Sequence, residues 1–238
     1  MTQSAAEVLG SVAIPEAQHR IEPTSRSRID EALAILDDHK DEWVELEIDE
    51  RIDLLDQVRV GMVGVAEEWV AASVDAKGMT PGSPAEAEEW LAGVSTVLRN
   101  ITLLISSLRD IRDYGVPQLP KPAYARADGQ VVAPVVPSSA WDGILFQGFT
   151  AEVWMDPSVQ LSDLPNHQAA FYRNKPTRGQ IGLVLGAGNV ASIGPMDALY
   201  KLFVEGQVVI LKMNPVNEYL GPFVDRAFSA LSERGFFR

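Results

Sequence analysis

The stretch from Gln180 to Lys212 leaves the chain few architectures. Gln180–Leu185 is a short apolar run that feeds into Gly186-Ala187-Gly188-Asn189. Pro195–Val204 then reads as a helix, and Gln207–Lys212, Gln-Val-Val-Ile-Leu-Lys, as a buried strand. Two strands joined by one helical crossover predict a βαβ unit with parallel strands. Gly186-Ala187-Gly188-Asn189-Val190-Ala191 matches G-x-G-x-x-A between strand and helix, a context in which backbone N–H groups can meet a dinucleotide. The same pattern also suits a glycine turn that only lets helix and strand pack. Lys212 closes the second strand where an NAD-binding Rossmann unit would carry an acid for the ribose hydroxyls, so the fingerprint departs from the standard one.

Around this unit the chain divides into four parts. Met1–Ser27 mixes Pro, Ser and charges without a period and is read as an arm, with the first boundary at residue 28. Residues 29–114 are helical. A short helix covers Ile29–Asp38. A long one begins at Asp49 as cap, carries Ile52, Leu55, Val58, Met62, Val65, Trp69 and Ala72 on one face, and stops at Gly78. Ser83-Pro84-Ala85-Glu86 starts another, with Ser83 as cap and Glu86 reaching back to its N–H; its stripe is Leu91, Val94, Leu98, Ile101, Leu104, Leu108 and Ile111. In residues 115–178 five prolines, Pro117, Pro120, Pro122, Pro134 and Pro137, deny helix to Gly115–Pro137. Gly143–Phe149 and Ala151–Met155 are β-rich and read as projecting strands or a hairpin, and Asp156–Gln168 as loop. Residues 179–238 hold the βαβ unit and a further helix, Glu218–Arg234, with Leu220, Phe223, Ala227 and Leu231 on one face and Gly235 at its end. The fold class is therefore α/β: an N-terminal helical layer packed on a Rossmann-like parallel sheet, with projecting β-strands. The sheet's third strand is expected after Phe236-Phe237. Its absence predicts that the 238 residues are the N-terminal portion of a longer protein. The alternative is a complete, non-catalytic nucleotide-binding or interaction module.

Charge and composition exclude several functions. The first 120 residues carry 23 acids against 10 bases, an acidic field that repels phosphate backbones, and Lys and Arg form no stripe, so no nucleic-acid partner is expected. No membrane partner is expected either: the least polar stretch is taken as Ile181–Tyr200, which polar residues and glycines interrupt. A cytoplasmic location follows from the lack of a basic start and apolar run at Met1–Gly10. With no cysteine, any thiol chemistry must come from outside these residues. His19, His39 and His167 lack ligand spacing, and the acid run from Asp37 to Glu50 has no calcium-loop glycine, so no metal site is expected. Trp43, Trp69 and Trp90 are read as core or helix-contact residues.

Arg178-Gly179-Gln180-Ile181-Gly182-Leu183-Val184-Leu185-Gly186-Ala187-Gly188-Asn189, followed by Gly206-Gln207-Val208-Val209-Ile210-Leu211-Lys212, resembles the cofactor-binding core of the aldehyde dehydrogenase superfamily. In that family an Asn closes the first strand and a Gly opens a strand of form G-x-V-V-x-x-K; the separation of Asn189 from Gly206 fits without a gap. Val74-Asp75-Ala76-Lys77-Gly78-Met79 is similar to the family's "ETGKP" segment, and the resemblance spans Ile29–Phe236.

The resemblance implies an aldehyde dehydrogenase-like oxidoreductase using NAD or NADP on a small-molecule aldehyde. In such enzymes a thiolate adds to the carbonyl to give a thiohemiacetal, and the nucleophilic Cys and base Glu lie beyond this chain, which alone would be inactive. Asn189 takes the position of the family's oxyanion donor, the one catalytic assignment. Lys212 takes that of the lysine facing the adenosine ribose or a 2′-phosphate. The cofactor-binding set is Leu185, Gly186, Ala187, Gly188, Lys212 and Asn214. Pro215 stands where many NAD-using members carry Glu, which favours NADP. Ala187-Gly188 in place of Pro-Trp and Val190-Ala191 in place of Phe-Pro resemble distant branches, of the acyl-CoA reductase kind. By analogy Trp141–Phe171 would form projecting strands that pair copies into a homo-oligomer.

Overall fold

The computed structural model describes residues 21–238; most of the predicted arm, and His19, lie outside the described residues. The architecture is mixed helix and sheet. α1 runs from Arg26 to Glu45, capped by Ser25, whose hydroxyl accepts from the Arg28 N–H. It starts inside the predicted arm and outlasts the predicted Ile29–Asp38, because Trp43 and Val44 carry its buried face into the acidic run. α2 is Ile48–Ala76, capped at Glu47 and not at Asp49. Glu50 reaches back to the Glu47 N–H at 3.4 Å, while Asp49 pairs with Arg112 at 2.7 Å.

α3 (Glu86–Glu88) passes through a π-helical turn, Glu89–Ser95, into α4 (Thr96–Tyr114), which Gly115 closes in the left-handed region. The start differs from expectation by one residue: the Glu86 carboxylate accepts from Gly82 N–H at 2.7 Å, not from Ser83. The wide turn rotates the stripe, so Leu91 is exposed while Val94, Val97, Ile101, Ile105, Leu108 and Ile111 face α2. Among the described residues, the helical stretch Glu86–Tyr114 contains an 18-residue window, of mean hydropathy 1.4, long and apolar enough to cross a membrane; its apolar stripe joins the core.

Beyond α4, β1 (Tyr124–Ala125), β2 (Val131–Val136) and β3 (Ala151–Trp154) form an antiparallel sheet in that order. Gly143–Phe149 is not a strand. α5 (Ala140–Leu145) takes its first three residues and a turn follows at Phe146–Gly148, because Ser139 caps the Asp142 N–H and the Asp142 carboxylate accepts from the Ser138 N–H, the Ser138 hydroxyl and Arg99. β3 pairs with β2 instead. A 3₁₀ helix, Leu161–His167, lies where a loop was expected, and α6 (Ala170–Arg173) follows.

β4 (Ile181–Leu185), α7 (Ile193–Phe203) and β5 (Val208–Lys212) make the expected parallel crossover. The predicted helix Glu218–Arg234 is three pieces: a 3₁₀ turn at Glu218–Leu220, α8 (Gly221–Ala227) and α9 (Ser229–Glu233). The break at Phe228 drops that ring into the core, 5.0 Å from the Phe237 ring. The parallel sheet has two strands, and Phe237 adds an isolated parallel bridge to Val209 at its edge: Val209 donates to Phe236 O and Arg238 to Val209 O, each at 2.9 Å.

One apolar core joins α1, α2, α4, α7, α8 and the parallel sheet around Trp43, Leu55, Trp69, Ile101, Phe203 and Phe236. Arg51 lies fully inside it, donating to the carbonyls of Leu46 and Trp43 that end α1, with its guanidinium 4.3 Å from the Trp43 ring. A cation at a helix C-terminus is favoured, and burial lowers its pKa. A second, small core of Val131, Ala133, Val159 and Leu164 sits under the antiparallel sheet.

Candidate functional site

The carboxyl ends of β4 and β5 are where a parallel sheet offers its ligand crevice. Leu185 pairs with Lys212 in the ladder, and the Gly186 N–H closes it by donating to Lys212 O at 2.9 Å. The chain then turns through Ala187, Gly188 and Asn189 into α7.

Two asparagines of the segment after β5 hold that turn. Asn214 Nδ2 donates to Gly186 O at 3.2 Å while its Oδ1 accepts from the Val216 N–H at 3.0 Å. Asn217, buried, donates Nδ2 to Ala187 O at 3.0 Å. A Cβ on Gly188 would lie 3.0 Å from Asn214 Oδ1, a tight contact that the Asn214 amide would have to relieve by a few tenths of an ångström, so glycine suits the close approach of the two loops. Asn214 therefore sits in the expected cluster with its amide engaged by the turn. Asn217 was not singled out in the sequence; an Asn-x-x-Asn spacing directly after a strand was the available signal.

Asn189 and Lys212 stand differently. Both are exposed, and neither makes a side-chain hydrogen bond or ion pair with another described residue. Lys212 shares the face of Leu185 and Leu183, which are also exposed. The N-terminus of α7 has no side-chain cap, and Ser192, at that position, has its hydroxyl oxygen buried without a partner. The turn, an unpaired amide, an unpaired ammonium and an orphaned hydroxyl thus lie together at one end of the crossover. That set can meet an anionic or hydroxyl-rich ligand and donate to a carbonyl oxygen.

Gly206, the second anchor of the motif, has a packing role of its own. Its φ is +70°, and a Cβ would lie 2.1 Å from the Phe171 ring.

The remaining sequence candidates resolve into ordinary contacts. His39 pairs with Glu42 at 2.9 Å; this bond first, and Arg234 second, hold the Glu42 carboxyl below its ordinary range. His167 bonds Asp163 at 2.8 Å. Among the described residues no group of three or more His, Asp or Glu is placed to hold a metal ion. Trp43 and Trp69 are buried, and Trp90 donates to Glu86 on the surface. A cleft of about 360 Å³ between α2 and α9 is lined by Asp56, Gln57 and Glu233 among others, and takes in none of the turn residues.

Comparison with protein-family models finds no match to this chain, and comparison with curated proteins finds none either.

Proposed function

We propose that residues 179–238 bind a nicotinamide dinucleotide, NAD or NADP, against the turn Gly186–Asn189, as the cofactor-binding portion of an aldehyde dehydrogenase-like oxidoreductase with a Rossmann-like sheet. The observation that carries this reading is the ladder pairing of Leu185 with Lys212, which sets an unpaired ammonium beside the turn that bears the unpaired Asn189 amide. The residues present fit such a group. The Ser192 hydroxyl is orphaned at the α7 N-terminus, where the helix dipole favours a phosphate.

Lys212 meets the ribose end of the ligand. No acid stands at Pro215 to take the 2′- and 3′-hydroxyls as a pair, so a 2′-phosphate against the ammonium is preferred, and NADP over NAD. Asn214 and Asn217 keep the carbonyls of Gly186 and Ala187 turned inward, which frees the outer side of the turn for the ligand. Asn189 donates its Nδ2 hydrogen to the carbonyl oxygen of an aldehyde as negative charge grows there. The bound dinucleotide supplies the hydride chemistry. A thiol nucleophile must come from outside these residues, since the chain has no cysteine.

The close approach of Asn214 to Gly188 supports a second reading, a non-catalytic module whose glycines serve packing alone. Calorimetric titration separates the two. The expected result is saturable NADP binding, tighter than NAD, weakened about tenfold by Lys212→Ala. Absence of binding by either dinucleotide at about 1 mM favours the module.

A further inference from the structure

Val74–Met79, singled out in the sequence, closes α2 with a polar contact that the dinucleotide site does not use. Trp69, Ser73 and Lys77 are spaced four apart and share one face of the helix. α2 packs there against the wide turn Glu89–Ser95, and it also packs against the 3₁₀ turn Glu218–Leu220. Lys77 pairs with Glu89, a carboxylate buried in the wide turn. Gly93 lies against Trp69, where a Cβ would come 3.3 Å from the indole Nε1. Tyr219 reaches the same face from the 3₁₀ turn. Burial raises its phenol above the ordinary value, and the neighbours that act against burial are Ser73 first and Lys77 next.

The polar atoms of this contact are not satisfied. Trp69 Nε1, Ser73 Oγ and Tyr219 OH are all buried without a hydrogen bond, so two neighbouring hydroxyls stand unpaired. Keeping such groups unpaired is costly, and Phe at 219 with Ala at 73 would fill the same core without that cost. Either hydroxyl can donate or accept, and its hydrogen turns to suit. A small approach of the 3₁₀ turn to α2 therefore closes a bond between them.

The 3₁₀ turn is tied to the site by short links. Leu220 N–H donates to Asn217 O at 3.0 Å and Asn217 N–H to Asn214 O at 2.9 Å, so Tyr219 and the two asparagines move as one unit. Asn217 in turn holds Ala187 O, and Asn214 holds Gly186 O. We propose that Tyr219 and Ser73 form a ligand-coupled latch: a dinucleotide bound at Gly186–Asn189 draws the Asn214–Leu220 unit against α2 and closes a hydrogen bond between the two buried hydroxyls. The inference rests on the dinucleotide reading of the crossover. Tyr219 is a positioning residue, acting on the ligand through Asn217 and Asn214. Because the bond belongs to the bound state, it adds to affinity and not to the stability of the free protein.

Calorimetric titration of the full chain with NADP, beside urea melts of the ligand-free protein, tests the latch in Tyr219→Phe, Ser73→Ala and the double variant. Each single change should weaken NADP binding about tenfold, and the double change no further, since the two groups share one bond. The melting midpoint without ligand should stay where it is or rise, which a bond already made in the free protein would not allow. Ser73→Ala alone gives the same reading if Tyr219→Phe does not fold. Equal NADP affinity in wild type and variants, losses that add in the double variant, or a lowered ligand-free midpoint in the single variants would overturn the latch while leaving the dinucleotide reading in place. A wild-type chain that binds no NADP at about 1 mM would overturn both.

Discussion

The segments β4–α7–β5 and α5–β3 are both short, apolar and punctuated by glycine, yet one folds inward and the other outward. Val184, Val208, Val209, Leu199 and Phe203 of the first join the core shared with α1, α2 and α4. In the second, Trp141, Ile144, Leu145 and Phe149 face water, and the core beneath their sheet is a handful of residues around Val131 and Leu164. Apolar content is similar; what differs is whether a preceding helix presents a complementary face. Burial of a strand pair comes from the two long helices folded before it, while α5 is held by one polar anchor.

Substitutions can break that contrast. The largest effect is expected from Gly206→Ala, which places a methyl in the Phe171 ring at a positive φ; about 3 kcal/mol or more should be lost in a denaturant melt. Arg51→Met should cost roughly 2–4 kcal/mol by stranding the Trp43 and Leu46 carbonyls, read the same way. Asn217→Ala removes one buried bond to Ala187 O; a loss of about 1–2 kcal/mol is expected, together with weaker dinucleotide binding measured by calorimetry.

Outside the core the effects shrink and become pH-dependent. Ser138 first, and Arg99 after it, hold the Asp142 carboxyl below the ordinary aspartate value. A depressed folded value adds stability above the unfolded value, and this is lost as pH falls through the lowered one. α5 should therefore loosen in acid, seen as a change in Trp141 fluorescence, and Asp142→Asn should abolish that pH response. Phe149→Ser should alter monomer stability by no more than about 0.5 kcal/mol, since the ring is already in water. A larger loss would mean that the ring packs within the monomer.

The sequence reads most clearly where period and burial coincide. The α2 and α4 stripes and the β4–α7–β5 crossover follow from apolar spacing, because each buries one continuous face. Apolar spacing misled at Gly143–Phe149: β-prone residues there sit on a helix fixed by Ser138, Ser139 and Asp142, and polar anchors have no periodicity. It also missed the wide turn Glu89–Ser95 and the break at Phe228, since both arise from tertiary fit. The placement of the Gly-Asn turn and of Lys212 at the carboxyl ends of β4 and β5 was legible from motif and spacing. Asn217 and Ser192 were not, because their meaning lies in a carbonyl and a helix end that only the fold brings beside them.

Backbone amide shifts of the labelled chain, followed by NMR as NADP is added, locate the ligand without relying on turnover. Saturable shifts concentrated at Gly186–Asn189, Ser192–Gly194 and Lys212 are predicted, and they should fade in Lys212→Ala while the rest of the spectrum stays folded. Shifts gathered instead around Asp56 and Glu233 in the α2–α9 cleft, or none at millimolar NADP, would contradict the assignment of this crossover as a dinucleotide site.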